Sequence, residues 1–288
     1  MKKIFLGLGA LALAVALVPM FAAFEAHVIN VTAQIENALS VPVTPIAFGT
    51  VFPQEHLDQP LNVALSRSFF EENRVDDVEY IIRQKPKCAL TNADGTQIIG
   101  PTATGHVISN GQGGYTIDCG PAPVDQTDGV WGPLPSLCEY ISKDGGDEDG
   151  LETNNDDTTP SFHVPFTVAS GTTTVSWLDT HGRLRKAAND TVDNWIIDLA
   201  VPCFGGYCAQ DWDNFVHGIN PNATSSDYIQ PISNEHKVFG CDLWVEVTGV
   251  SEMRPECSDG LDNDTNGYTD HPADPGCTSP SDNDEFSD

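Results

Sequence analysis

The sequence predicts an all-β protein, an antiparallel jelly-roll-type β-sandwich with long loop insertions and a small C-terminal calcium-binding segment. Apolar and polar residues alternate with period two in many short stretches, and no helix-length stretch keeps a 3.6-residue period. The chain has 25 glycines and 20 prolines, which separate these stretches. Hydrophobic residues make up 40% of the sequence, enough for a core. Short strands joined by long loops are typical of a sandwich.

The first residues are those of an exported protein. Lys2 and Lys3 precede a nearly unbroken apolar run over residues 4–18, and small residues follow at Ala22 and Ala23. This order is typical of a secretory signal peptide, which we place at residues 1–22. The alternative is an uncleaved signal that anchors the chain in the membrane. We therefore expect a secreted protein that is extracellular or bound to the cell surface.

A strand with one apolar face follows the signal directly, over residues 28–37. The apolar residues of this face are Ile29, Val31, Ala33 and Ile35. No strand precedes it, so it has no hairpin partner on its N-terminal side. Such a strand can pair within its own domain or complete the sheet of a neighbouring molecule as a donor strand.

The sandwich domain is expected to span residues 23–252. The alternation predicts strands at 46–52, 61–68, 77–87, 195–201 and 243–248, with a hairpin formed by 161–169 and 172–178. Residues 210–217 are expected to form a short helix, and the basic segment 181–188 a solvated loop or helical turn. An acidic, loop-rich insertion at 89–160 is expected to hold one hairpin near 106–117. Its segment 144–157 carries seven carboxylates, interpreted as a solvated loop with calcium binding as the alternative.

Eight cysteines in an exported chain predict disulfides. No Cys-x-x-Cys knuckle is present, which disfavours a zinc site. Local spacing favours two pairs, Cys203–Cys208 and Cys257–Cys277. The remaining residues are predicted to form Cys119–Cys138, across a loop rich in proline and glycine, and Cys88–Cys241, at the ends of two strands.

The charge and the motifs exclude several classes of function. The net charge of −29 disfavours nucleic acids and anionic lipid surfaces as partners. Neither His-Glu-x-x-His nor Gly-x-Ser-x-Gly occurs, so we expect no enzymatic activity and assign no catalytic residue. Three tryptophans, Trp177, Trp195 and Trp244, either line a sugar-binding face or pack within the sandwich.

The C-terminal segment, residues 253–288, carries the sharpest local motif. Oxygen-bearing residues recur at alternate positions around Gly267, between two cysteines, as a calcium loop requires. The predicted ligands are Asp262, Asp264, Asn266, the carbonyl of Tyr268, Asp270 and Asp274. The twelfth position is Ala273 and not glutamate, so the loop is not an EF-hand and looks like the calcium loops of thrombospondin type 3 repeats. The alternative is an acidic disordered tail.

Over residues 1–250 the order of segments resembles the TasA/camelysin family of secreted surface proteins. The resemblance lies in the signal, the alternating first strand, the stretch Phe48-Gly-Thr-Val-Phe-Pro53 and the closing strand at 239–248. It implies a jelly-roll subunit that binds copies of itself in a head-to-tail fibre through its N-terminal strand. The expected function is therefore a structural subunit of an extracellular fibre or matrix. The alternatives are a monomeric calcium-dependent adhesin or binding module and a camelysin-like metalloprotease.

Overall fold

A computed structural model describes residues 34–280 apart from 43, 124–128, 146–157, 188–189, 253–254, 259, 261 and 263–264. The strands and helices belong to the compact unit that begins at Glu36. Most of the predicted first strand, residues 28–33, lies outside the described residues. Gln34 and Ile35, at its end, are not in a strand.

The described part of the chain is built mainly of strands, which confirms the all-β class. The twelve strands in it are β1 (Leu39–Ser40), β2 (His56–Leu65), β3 (Val75–Thr91), β4 (Ile98–Thr104), β5 (His106–Ser109), β6 (Tyr115–Asp118), β7 (Val130–Pro133), β8 (Phe166–Val168), β9 (Val175–Trp177), β10 (Thr180–Arg185), β11 (Val192–Ala200) and β12 (Cys241–Glu252). The helices are α1 (Arg67–Glu71) and α2 (Trp212–Ile219), with 3-10 turns at Cys138–Tyr140, Ser225–Tyr228, Ile232–Asn234 and Glu256–Ser258. None of the helices in this part is long and apolar enough to cross a lipid bilayer.

Two antiparallel sheets share one core. The first has the strand order β1-β2-β11, and the second has the order β10-β3-β12, with β4 and β7 pairing along the rest of β3. Two small hairpins, β5-β6 and β8-β9, complete the described strands. The main core takes side chains from β2, β3, β10 and β11. The jelly-roll topology stays a prediction.

Strand β3 organises the larger sheet because its 17 residues are long enough for two sets of partners. Its first part lies between β10 and β12, and its last part lies between β4 and β7. Alternate side chains from Val78 to Gln84 are fully buried. The period-two pattern of this segment therefore places one complete face of β3 in the core.

A hydrogen-bonded contact joins the two sheets at the centre of the core. Trp195 of β11 is fully buried, and its Nε1 donates to the hydroxyl oxygen of Tyr80, 2.6 Å away. The Tyr80 hydroxyl donates in turn to Asp193. Gly182 of β10 lies against the Tyr80 ring, since a Cβ at this position would approach Tyr80 Cζ to 2.4 Å. A residue without a side chain is therefore required opposite Tyr80.

Two predicted segments differ from the structure. Residues 46–52 form no strand; they follow Pro42 and Pro45, and Ile46 and Phe48 contact the core without joining a ladder. The basic segment predicted as a loop or helical turn is strand β10, paired with β3. Its inward positions, at 180, 182 and 184, are occupied by Thr, Gly and Leu, so the usual apolar alternation is hidden.

The basic residues of β10 pair with acidic residues at the start of β3. Arg183 contacts Asp77, and Arg185 Nε lies 3.4 Å from Asp76. Charge pairing accordingly allows a basic segment to form a strand of the larger sheet.

The remaining predicted elements agree more closely. The two expected hairpins are present as β5-β6 and β8-β9, and the expected helix is α2, with Trp212 and Val216 buried. The insertion at 89–160 is more regular than predicted, because β4 and β7 pair with the end of β3. Both strands are rich in glycine, proline or threonine, and so they gave no alternating apolar signal.

All eight cysteines are paired, but two of the predicted pairs are wrong. Cys203–Cys208 and Cys257–Cys277 are present as the local spacing suggested. The other two disulfides are Cys88–Cys119 and Cys138–Cys241, in place of the predicted Cys119–Cys138 and Cys88–Cys241.

Strand register explains this exchange of partners. Cys241 lies opposite Pro86 on β3, at the last position of the β3–β12 ladder, and therefore does not reach Cys88. A parallel bridge between Ser136 and Gly240 brings the following 3-10 turn, which contains Cys138, next to Cys241. Neither relation can be read from sequence spacing alone.

The Tyr80 contact makes a stability prediction. Gly182→Ala should lower the free energy of unfolding by about 1–3 kcal/mol, because the added methyl displaces the Tyr80 ring from Trp195 and Asp193. The matched control is Gly132→Ala in β7, where a Cβ meets nothing within 4 Å, and a change below about 0.5 kcal/mol is expected. Chemical denaturation of both variants measures the difference; equal stabilities would contradict the packing described for Tyr80.

Candidate functional site

The C-terminal loop is closed by the Cys257–Cys277 disulfide and folds around its own polar side chains. The Asp262 carboxylate accepts hydrogen bonds from the backbone N–H groups of Asn266 and Gly267, at 3.0 and 2.8 Å. The Asn266 side-chain oxygen accepts from the N–H of Tyr268 at 2.8 Å. These contacts hold the turn around Gly267, whose φ of 91° suits glycine.

The second half of the loop is organised by two further carboxylates. Asp270 Oδ1 accepts from the N–H of Gly260 at 3.1 Å. Asp274 is only 2% exposed; its two oxygens accept from the N–H of Gly276 at 2.6 Å and from Asn266 Nδ2 at 3.1 Å. The buried carboxylate therefore connects the predicted ligand Asn266 to the end of the loop.

The residue types of this loop fit calcium, because every predicted donor is a carboxylate, amide or carbonyl oxygen. Asp264 lies outside the described residues. Among the described residues, both in this loop and outside it, no group of three or more His, Cys, Asp or Glu side chains is close enough to hold a metal ion. The carboxylates of Asp262 and Asp274 instead accept hydrogen bonds within the loop. Calcium binding here stays a prediction. A bound ion would be coordinated by carboxylate oxygens that accept backbone hydrogen bonds in this structure.

A buried polar cluster was not anticipated from the sequence. It consists of Gln84 on β3, Lys143 and His163, and both Gln84 and Lys143 are completely buried. Lys143 Nζ donates to Gln84 Oε1 at 3.0 Å, and His163 Nε2 lies 2.6 Å from the same oxygen. The Gln84 Nε2 group donates to the carbonyls of Cys138 and Ile141.

One signal of this cluster was present in the sequence. Gln84 continues the inward-facing series that starts at Val78, so a polar residue was due in the core. The partners of Gln84 could not be found in the same way, because Lys143 and His163 lie far along the chain and their approach to β3 depends on tertiary structure.

Burial dominates the electrostatics of the cluster. It lowers the pKa of Lys143 to about 8, and the burial of His163, together with the charge of Lys143, lowers the pKa of the imidazole to about 4. The described ion pairs do not include Lys143. The ammonium form is therefore disfavoured in this position.

The three tryptophans are divided between core and surface. Trp195 belongs to the core, so the three tryptophans do not together line one sugar-binding face. Trp244 of β12 is partly exposed, and Lys85 Nζ lies 3.4 Å from its ring centroid. The Arg83 guanidinium lies 5.5 Å from the ring centroid of Trp177. The outer face of the β3–β12 pair therefore combines aromatic rings with cations.

The predicted donor strand is described only at its end. Ile29, Val31 and Ala33 lie outside the described residues, and the side chain of Ile35 is 93% exposed. The adjoining strand β1 is only two residues long and pairs with the last two residues of β2.

Comparison of the chain with protein-family models, curated proteins and solved structures gave no match.

The spacing of oxygen-bearing residues in this loop predicts calcium binding with a dissociation constant of about 10⁻⁴–10⁻³ M, the range of extracellular modules. Replacing Asp262 and Asp270 together with asparagine should remove the heat of calcium binding measured by titration calorimetry on the full chain, because two charged ligands are lost. The control pair is Asp94→Asn with Asp227→Asn, which removes the same charge from exposed positions outside the loop. Equal heats for the two double variants would contradict a site in this loop.

Proposed function

We propose that this protein is a secreted structural subunit of an extracellular fibre or matrix on the cell surface, with a calcium-binding tail. Subunits would assemble head to tail, with the N-terminal strand of each completing a sheet of the next. The observation that carries the proposal is the open edge of β2.

Strand β2 has a full partner on only one side. Nine of its ten residues pair with β11, and β1 pairs with Ala64 and Leu65 alone. Within the described part of the chain, the β2 edge from His56 to Val63 has no strand beside it. Pro60 within β2 suits an edge strand, since proline interrupts a central ladder. An uncovered edge favours pairing with another chain.

The register of β1 directs the preceding residues away from this edge. Leu39 lies opposite Leu65, and the Ala38 carbonyl accepts from the N–H of Ser66, just past the end of β2. The residues after β1 contain Pro42 and Pro45, and those that the structure describes form no strand before β2. Neither flank of β1 therefore supplies a ladder along the open edge.

The N-terminal segment has the properties of a strand that could fill such an edge in a neighbouring molecule. Its alternating residues would place Ile29, Val31 and Ala33 against apolar surface, and the exposed Ile35 continues the same face. Each subunit would give one strand and receive one, so the contact is heterologous and does not close on itself. Repetition of this contact builds a filament.

Other features are compatible with this proposal. Four disulfides suit an oxidising, extracellular environment. The resemblance to the TasA/camelysin family points to the same mode of assembly.

A second candidate function is a monomeric calcium-dependent adhesin or binding module. It is favoured by the outer face of β3 and β12, where Trp244 and Trp177 lie beside Lys85 and Arg83. Exposed aromatic rings next to charged groups are common in binding surfaces. The camelysin-like metalloprotease is the remaining alternative, and no specific contact among the described residues favours it.

The donor-strand proposal predicts that Ile29→Asp with Val31→Asp abolishes filaments, because two charges would enter apolar pockets of the next subunit. The matched control is Asn30→Asp with Thr32→Asp, which adds the same charge to the opposite face of the strand. Electron microscopy of the mature secreted protein should show filaments for the parent and the control only.

Two results would overturn this proposal. If the parent protein forms no filaments while remaining folded by circular dichroism, the adhesin hypothesis takes its place. If the Ile29 and Val31 variant assembles like the parent, filaments form through another surface.

A further inference from the structure

The Lys143 amine lies directly against the carboxamide of Gln84, with Nζ 3.0 Å from Oε1. The carboxamide carbon is one bond beyond this oxygen. Both side chains are completely buried, so water does not compete with the amine for the carboxamide. The contact joins β3 of the larger sheet to the segment 141–144, which bridges to β11 of the smaller sheet through Ile141 and Asp144.

Burial disfavours the ammonium form of Lys143, so a larger fraction of this side chain is neutral amine than in a solvated lysine. Its side-chain nitrogen donates to an amide oxygen and, among the described residues, forms no ion pair with a carboxylate. A buried ammonium group without a counter-ion costs several kcal/mol in free energy. A neutral amine with its lone pair available is a nucleophile.

His163 is placed to activate the carboxamide. Its Nδ1 lies 2.8 Å from the Pro160 carbonyl oxygen, and its Nε2 lies 2.6 Å from Gln84 Oε1. In the neutral tautomer that carries its proton on Nε2, the ring donates to Gln84 Oε1. This hydrogen bond polarises the carbonyl that the amine would attack.

We propose that Lys143 and Gln84 form an intramolecular isopeptide bond, joining Lys143 Nζ to Gln84 Cδ with release of ammonia. The Nζ lone pair attacks Cδ, and the π electrons of the carbonyl move to Oε1, where the His163 N–H stabilises the negative charge. One proton of Nζ passes to Nε2 of Gln84. The Cδ–Nε2 bond then breaks with its electron pair on nitrogen, and the carbonyl is restored.

No oxidant, metal or second substrate is needed for this step. An amine and a carboxamide give a secondary amide and ammonia. Fixed placement of the two groups replaces the encounter of separate reactants, which is the usual source of large effective concentrations.

The bond would link two layers of the sandwich across 59 positions of sequence. Unlike the four disulfides, it is resistant to reduction. It would stabilise the fold chiefly by restricting the unfolded chain, as a disulfide does. The proposal does not depend on filament formation.

The experiment is the intact mass of the exported full chain after complete reduction, followed by peptide mapping. The mass should be lower than the sequence mass by one ammonia, and mapping should find a branched peptide that joins Gln84 to Lys143. Lys143→Met should restore the full mass and remove the branched peptide. The matched control is Lys85→Met, on the outer face of β3 next to Gln84. This variant should still show the loss of one ammonia and the branched peptide.

His163→Ala should leave most of the chain unlinked, because the developing charge on Oε1 loses its hydrogen-bond donor. The mapping also separates the bond from succinimide formation at Asn110 or Asn266, each of which precedes glycine and also releases ammonia. A wild-type chain without the branched peptide would overturn the proposal, as would its persistence in Lys143→Met. The wild-type result decides the question even if a variant does not fold.

Discussion

Each described strand of the larger sheet pairs with β3. The rest of the structure depends on the burial of one face of this strand. The hydroxyl of Tyr80 meets Trp195 of the facing sheet, Gln84 reaches His163 and Lys143, and Cys88 is joined to Cys119 beyond the main ladder. These groups are polar or reactive, and each is buried only with a specific partner. Such partners fix the register of the two sheets more sharply than apolar packing alone.

Charge shapes the surface that this core leaves exposed. The chain has 13 lysines and arginines against 42 acidic residues, and several of these cations are held in local pairs. Arg83 binds Asp179 through two hydrogen bonds, and Lys87 Nζ lies 2.5 Å from Asp242. The charges of these cations are neutralised by their acidic partners. The remaining acidic residues therefore make the outer surface strongly negative. Contact between copies would therefore be opposed by repulsion at low ionic strength and helped by salt, which screens charges beyond about 8 Å in physiological conditions.

The sequence predicted those parts of the fold that have local signals. Strands β2, β3, β11 and β12 alternate apolar and polar residues, and the two short disulfides follow from spacing. Strand β10 was missed because Gly182 faces Tyr80, where alternation would lead one to expect an apolar residue. The exchanged disulfides and the Lys143 cluster depend on register between distant segments, which spacing does not encode. In the C-terminal loop, Gly267 lies at a turn with positive φ, as the predicted motif requires, whereas the burial of Asp274 is a tertiary feature.

The disulfides of the protein are unevenly distributed between the two sheets. This distribution affects which edge is available for assembly with another molecule. Cys88–Cys119 and Cys138–Cys241 both fasten elements to β3 or β12, while no disulfide involves β1 or β2. On the far side of β11, segment 141–144 and the hydroxyls of Thr159 and Thr180 connect the smaller sheet to β10. The sandwich is thus fastened along one side, and the β2 edge on the other side is left without a cross-link. A strand from another molecule could add to this edge without breaking any bond that holds the core, as a polymerising subunit requires.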